Sequence, residues 1–497
     1  MLTHSLERPI VNSPDFNFLD DIHLDPIFYI AEHAKRKPHS VAISGVDFRY
    51  TYRELVNVID NLALFLSKAG LQRGQLVKIA VKQIEIGFLI SLALQKIGCA
   101  CLLPGSELAR RTEQADICIL MSGDVIGNAN RHIYFEPHWL STAEAQVAFD
   151  NRLSGYSDAS DIALVTLSSG TTGTPKRIRT SFRKLYNGVR GSILHENHIA
   201  TLSPCLVSFG FGAFVSYRQM LTILWSGGTL VFAELGVDAA AQLPSLKVRH
   251  IFTSIYNLRT WLEIAKQKPE YFAQIELITV GGAVLTPQLE AEVRKHMCNR
   301  IAIHYGSSET GLIAAGSADL RGTYPDAVGV VLSSVRLEIV DANGFAVAEG
   351  TSGSVRVWLN GQAAKSEDTK PVDGWFYTGD AGIMESGRVL RIFGRNDGIT
   401  NIGGMKIRLD DIEDSLKKYS GISDVALFTV EDHLGETIVC CAYVPKESFQ
   451  LAELQLGFKE LQLPAVLLET GSLPRSPDGK ILRHILKQGY EEFSKRP

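Results

Sequence analysis

The spacing of apolar residues changes character along the chain, and each change predicts a different element. From Thr51 onward Leu55, Val58, Ile59, Leu62, Phe65 and Leu66 recur at three- and four-residue intervals, the signature of an amphipathic helix. Thr51 and Glu54 fit a capping box, in which a hydroxyl and a carboxylate each satisfy the other residue's backbone N–H. Gly70 supplies the stop. Short apolar runs then alternate with helical spacing: a strand over 77–81, a helix over 84–96 and a strand over 99–103. A buried strand is expected over 162–167. The stretches 227–232 and 277–282 combine a strand with paired glycines. This alternation predicts an α/β fold with largely parallel sheets.

From about Leu332 the alternation shortens to strands and turns, as in 335–340 followed by Asp341-Ala342-Asn343-Gly344. That predicts a β-rich subdomain. Beyond about Arg395, a helix over 410–419 and strands over 425–430 and 438–444 predict a small α+β domain. A chain of 497 residues exceeds what one core organises, so two or three domains are expected. No internal repeat, low-complexity tract or long charged tail interrupts them.

Composition narrows the field. The formal charge of −4 argues against a nucleic-acid partner or an anionic membrane surface, both of which call for a basic excess. The most apolar region, 86–103, is broken by Lys96 and Gly98, so it reads as helix then strand, not as a membrane span. No signal peptide is recognisable at the N-terminus. The seven cysteines contain no C-x-x-C and are expected to be reduced, buried thiols in a cytoplasmic protein. Of the thirteen histidines, His195 and His198 lie close together but lack a third clustered ligand, so no zinc site is expected.

Chemistry concentrates in a few stretches. Ser168-Ser169-Gly170-Thr171-Thr172-Gly173-Thr174-Pro175-Lys176 directly follows a predicted strand. Its glycines admit a phosphate to the backbone, its hydroxyls and amides can bond the oxygens, and Lys176 adds charge. It does not fit the Walker A spacing. His304-Tyr305-Gly306-Ser307-Ser308-Glu309-Thr310-Gly311 offers an aromatic face, a hydroxyl at Ser308 and a hard oxygen ligand at Glu309 suited to Mg²⁺. Trp375-Phe376-Tyr377-Thr378-Gly379-Asp380 presents a carboxylate for ribose hydroxyls. Two further stretches follow: the one from Gly394 to Ile407, containing Arg395, Asp397, Gly403, Gly404 and Lys406, and Pro474-Arg475-Ser476-Pro477-Asp478-Gly479-Lys480. Each alone has a plainer reading as a turn; their order along the chain is the informative part.

In that order they resemble the adenylate-forming superfamily of acyl- and aryl-CoA synthetases, peptide-synthetase adenylation domains and luciferases, from the Thr51-Tyr52 segment to Arg483. The resemblance implies an ATP- and acid-binding domain over 1–394 and a small mobile domain over 395–497 carrying the catalytic lysine. It implies that Ser168, Ser169, Gly170, Thr171, Thr172, Gly173 and Lys176 grip the β- and γ-phosphates. Tyr305 would stack on adenine, Ser308 would touch the α-phosphate, and Glu309 would hold Mg²⁺. Asp380 and Arg395 would bind ribose, Lys406 would join the nucleotide-binding set, Asp397 would be the hinge, and Lys480 would serve adenylation. The chain departs from the family's pattern at Ile303, Arg177 and Ser354.

The expected acid pocket includes Phe209, Gly210, Phe214, Gly281 and Gly282, with Tyr217 and Trp225 as aromatics that could equally be core. No aspartate lies between Ser203 and Phe232, so an α-ammonium would be desolvated without a counter-charge. An aryl or fatty acid is therefore expected. A stand-alone amino-acid adenylation enzyme is the alternative, and a non-catalytic nucleotide-binding relative ranks third. Only 17 residues follow Lys480, so free CoA or the phosphopantetheine of a separate carrier protein is the expected acceptor. The expected oligomeric state is monomer or homodimer.

Overall fold

The computed structural model describes residues 27–105, 107–124, 128–143, 160–168, 176–195, 201–233, 236–359, 365–366, 371–395, 400–402, 405–407, 409–416, 421–446, 449–461, 463–474 and 481–494. For Ser168, Lys176, Arg395 and Lys406 it describes the backbone alone.

Two large sheets, a small three-stranded sheet and a two-stranded ribbon organise these residues. The larger has thirteen strands. At its centre Leu230–Val231, Cys205–Ser208, His250–Ser254, Leu277–Gly281 and Ile301–Ser307 run parallel, joined by helices. Beyond Ile301–Ser307 the pairing turns antiparallel through Gly311–Ser317, Ala327–Val331, Val389–Arg395, Trp375–Met384, Ser352–Trp358 and Leu337–Val340. The expected β-rich portion is therefore hydrogen-bonded continuously onto the parallel strands. The second sheet has seven strands and holds Ile162–Ser168 next to Lys176–Ser181. After Arg395 the described strands pair only among themselves, as a two-stranded and a three-stranded sheet.

Local signals explain the elements. Helix Tyr52–Lys68 begins with Thr51 as its N-cap, and both halves of the capping box form. Its apolar stripe of Leu55, Val58, Ile59, Leu62 and Leu66 is fully buried, while Phe65 stacks on Trp139 at 5.6 Å. Helix Ile84–Ile97 runs into strand Ala100–Leu103 across the left-handed Gly98. No described helix is long and apolar enough to cross a membrane. One expectation shrinks: the strand predicted over 227–232 spans only Leu230–Val231. Gly227 takes φ +79, and the Gly227 and Gly228 amides bond the Leu224 and Ile223 carbonyls, so both residues close the preceding helix.

All seven cysteines are free and buried. Burial pushes Cys99, Cys440 and Cys441 up to about 12, so these thiols stay protonated and inert at neutral pH.

Candidate functional site

Parallel strands carry ligands beyond their carboxyl ends, because loops and helix starts gather there. Ser208, Ser254, Gly281 and Ser307 end four neighbouring strands on that edge. The Ser208 hydroxyl donates to Thr253 Oγ1 at 2.8 Å, and the Asn257 amide donates to the Ser208 carbonyl, which ties adjacent strand ends together.

The Ser307–Gly311 turn is built tightly. Ser307 and Thr310 bond each other through both hydroxyls and both backbone amides, at 3.1 to 3.3 Å. A Cβ at Gly306 would lie 2.1 Å from the Gly311 carbonyl oxygen, so only glycine closes the hairpin. The register shifts between Tyr305 and Gly306, a bulge that re-aims the tyrosine relative to a regular strand.

Tyr305 then donates its hydroxyl hydrogen bond to Asp380 Oδ2 at 2.5 Å. Asp380 sits on strand Trp375–Met384, in register with Arg395 on the next strand. Three residues separated by up to 90 positions in sequence thus share one end of the sheet. The Asp380 amide donates to Thr378 Oγ1 at 3.1 Å, which fixes the carboxylate's backbone.

Lys184 was not singled out by the sequence. On helix Phe182–His195 it is buried, and its ammonium donates to the Ser308 carbonyl at 3.2 Å and the Glu309 carbonyl at 2.5 Å. Burial pulls its pKa down to about 8, against the opposing pull of the Glu309 charge. The Glu309 carboxylate itself has no hydrogen bond or ion pair with any described residue, so its oxygens remain available to a cation. Among the described residues no group of three or more His, Cys, Asp or Glu could hold a metal. A single carboxylate that shares its ion with substrate phosphates is the usual arrangement for Mg²⁺.

Several expected site residues lie outside the described residues: 169–173, Asp397, Gly403, Gly404 and Lys480. Their surroundings are described. Ser168 and Lys176 pair across the hairpin that the Gly-rich stretch connects. Arg177, where the resemblance implies glycine, forms an ion pair with Glu113 at 2.8 Å and donates to the Gln114 carbonyl at 2.7 Å. Leu482 N–H donates to the Pro474 carbonyl at 2.8 Å, which closes the base of the Lys480 segment. Arg483 binds Glu413 at 2.7 Å and the Leu427 carbonyl at 3.0 Å, fastening that base to the small sheet. Glu413 also escaped sequence reading.

Two cavities adjoin this edge. One of about 980 Å³ runs between Gly210, Ser254, Tyr256 and Asn257 on one side and Tyr443, Leu451, Phe458 and Ala465 on the other. The second, of about 470 Å³, lies between helix Phe182–His195, Phe214 and the Thr310–Leu312 stretch. The expected acid-pocket residues divide: Gly210 lines the first and Phe214 the second, while Phe209, Gly281 and Gly282 line neither. Tyr217 and Trp225 are core, Trp225 packing on Tyr29 and Tyr186.

Residues 30–364 match the family model described as AMP-binding enzyme. The chain belongs to the AMP-binding enzyme family, within the adenylate-forming superfamily. Curated relatives include surfactin synthase subunit 2 of Bacillus subtilis, 23% identical over 93% of this chain but only 14% of that protein. The chain thus spans about a seventh of the length of that relative. Enterobactin synthase component E of Escherichia coli is 24% identical over 90% of this chain and 91% of its own. Among solved structures, o-succinylbenzoate CoA synthetase of Bacillus subtilis, bound to a product analogue, superposes with a TM-score of 0.74 at 20% identity, covering 93% of this chain and 98% of that one. That likeness establishes the fold.

Proposed function

We propose that this adenylate-forming enzyme activates an aryl or fatty carboxylic acid with ATP and passes the acyl group to a thiol, that of CoA or of a separate carrier protein. The observation that carries the proposal is the Tyr305–Asp380 hydrogen bond beside the Ser308–Glu309 turn, at the carboxyl edge of the parallel strands. The bond couples the plane of an aromatic ring to a carboxylate, which suits an adenine and its ribose held together.

Attack of a carboxylate on the α-phosphorus brings like charges together, so alignment and charge neutralisation supply most of the catalysis. Ser308 would touch the α-phosphate. The Gly-rich stretch ending at Lys176 would hold the outer phosphates, and Arg395 and Lys406 would complete the nucleotide contacts. Glu309 would hold Mg²⁺ together with those phosphates, and the ion would relieve the departing pyrophosphate. Lys480 would bridge the acid and the α-phosphate, and then leave when residues 395–497 turn about Asp397. The acid's body would lie among the predominantly apolar walls next to Phe214. The absence of aspartate from 203–232 favours a substrate without an α-ammonium.

The test is pyrophosphate release with Mg-ATP across benzoic, cinnamic, fatty and amino acids, without thiol and then with CoA. Release with an aryl or fatty acid that quickens on adding CoA supports a CoA ligase. Release indifferent to CoA moves the acceptor to a carrier protein, release with amino acids alone replaces the substrate class, and silence across the panel removes the proposal.

A further inference from the structure

The 470 Å³ cavity has a charge pattern that an apolar monoacid does not use. Helix Phe182–His195 presents Lys184, Asn187 and Arg190 to it, and Gly188 and Gly191 also line its wall. The other walls are mostly apolar, with Phe214, Leu312 and Trp358 among them. Two cations line the cavity, and no carboxylate is among the described residues that do.

The two cations are placed differently. Lys184 is buried at the end that abuts the Ser308–Glu309 turn, and two of its three N–H donors are committed to backbone carbonyls. Its third donor has no partner among the described residues. Besides the two carbonyls it faces the Phe214 ring at 5.8 Å and feels the Glu309 charge, with which it makes no ion pair, so an anion placed directly against it is still favoured. Arg190 lies six residues further along the helix, a rise of roughly 9 Å, and makes no hydrogen bond or ion pair with any described residue. Its planar fork suits a carboxylate bidentately.

We infer that this cavity takes an acid with an anionic group at each end: one beside Lys184 and the Ser308–Glu309 turn, the other at Arg190, with the apolar body between them. The inference rests on the proposed acid activation and narrows its substrate class to dicarboxylates. Arg190 is the residue that separates diacids from monoacids, because only the diacid reaches it with charge. Lys184 serves the end common to both.

Calorimetric titration of the full chain with α,ω-dicarboxylates, carboxylated phenylalkanoates and the matching monoacids tests this. The diacid of the best-fitting length is expected to bind on the order of tenfold tighter than its monoacid partner, the scale of one partly exposed charge-assisted contact. In Arg190→Ala the diacid should weaken to the monoacid's level while the monoacid stays within about twofold. Lys184→Met should weaken both, and its thermal unfolding profile reports whether it folds. Equal or tighter binding of monoacids to the parent chain, a diacid preference that survives Arg190→Ala, or no binding by any diacid of the series overturns the inference. Diacid binding that needs Arg190 but supports no pyrophosphate release would instead sink the activation reading and leave the site standing.

Discussion

The Ser307–Gly311 turn and the Asp432–Glu436 loop are held in opposite ways. The turn is knitted within one sheet: reciprocal Ser307–Thr310 bonds, a glycine that nothing else replaces, and the Lys184 ammonium beneath two of its carbonyls. The loop joins strands Ile422–Glu431 and Thr437–Pro445 of the small sheet and leans on the large body. It does so through an Arg259–Asp432 ion pair, a 2.6 Å bond from Thr286 to the Leu434 carbonyl, and the Leu434 side chain. Within the loop, Glu436 is buried with Oε1 lacking a hydrogen-bond partner among the described residues. A contact made of few polar groups, one of them poorly satisfied, separates more readily than a knitted turn. The difference sets a turn knitted into the sheet against a small body held on by few contacts.

The largest expected effect breaks the comparison at the lysine proposed to serve adenylation. Lys480→Ala should lose on the order of 10²-fold or more in acid-dependent pyrophosphate release, the cost of removing a transition-state donor. Thioester formation from preformed acyl-adenylate should be largely spared; equal loss in both half-reactions would remove Lys480 from the adenylation step.

Next comes the anchor of that segment. Glu413 is buried and accepts from the Leu427 N–H at 2.6 Å as well as from Arg483. Glu413→Ala strands that buried amide and should destabilise the small body by about 3 kcal/mol, read from chemical denaturation. An unchanged denaturation midpoint would show that the segment's base is held elsewhere.

Asp397→Pro sharpens the reading of the small body as mobile. A fixed φ at the proposed hinge should lower overall turnover on the order of tenfold while sparing one of the two half-reactions. Unaltered turnover would count against rotation at that residue.

The smallest effect is a pH dependence. Burial raises the Glu436 carboxyl from 4.5 to about 7, against the pull of Arg259. A raised carboxyl pKa favours the folded, docked state while the group is protonated. Its contribution is full below 4.5 and is lost as the pH rises through about 7. The parent's thermal midpoint should therefore fall over that interval relative to Glu436→Gln, and parallel profiles for the two proteins would remove Glu436 from the docking contact.

Much of the architecture was legible locally. The capping box at Thr51, the Gly70 stop and the strand before the Gly-rich stretch depend on neighbours within a few residues, and each formed where expected. The paired glycines at 227 and 228 misled because a helix stop and a strand start use the same residues, and the preceding helix won. Lys184 left only a faint signal, a lysine followed at helical spacing by Gly188 and Gly191.

The sequence by itself determined the class of fold, the order of the chemistry-bearing stretches and the family they spell out, since these live in short-range periodicity and in residue types at fixed spacing. Tertiary structure alone decided which of those stretches meet. Cys205–Ser208 lies between Leu230–Val231 and His250–Ser254, an order that no local pattern encodes. From such pairings came the Tyr305–Asp380 bond, the Arg483–Glu413 anchor and the placement of Lys184 beneath a turn more than 120 residues away. The physical reason is that periodicity fixes which face a residue presents, whereas burial of all the faces together fixes what that face meets.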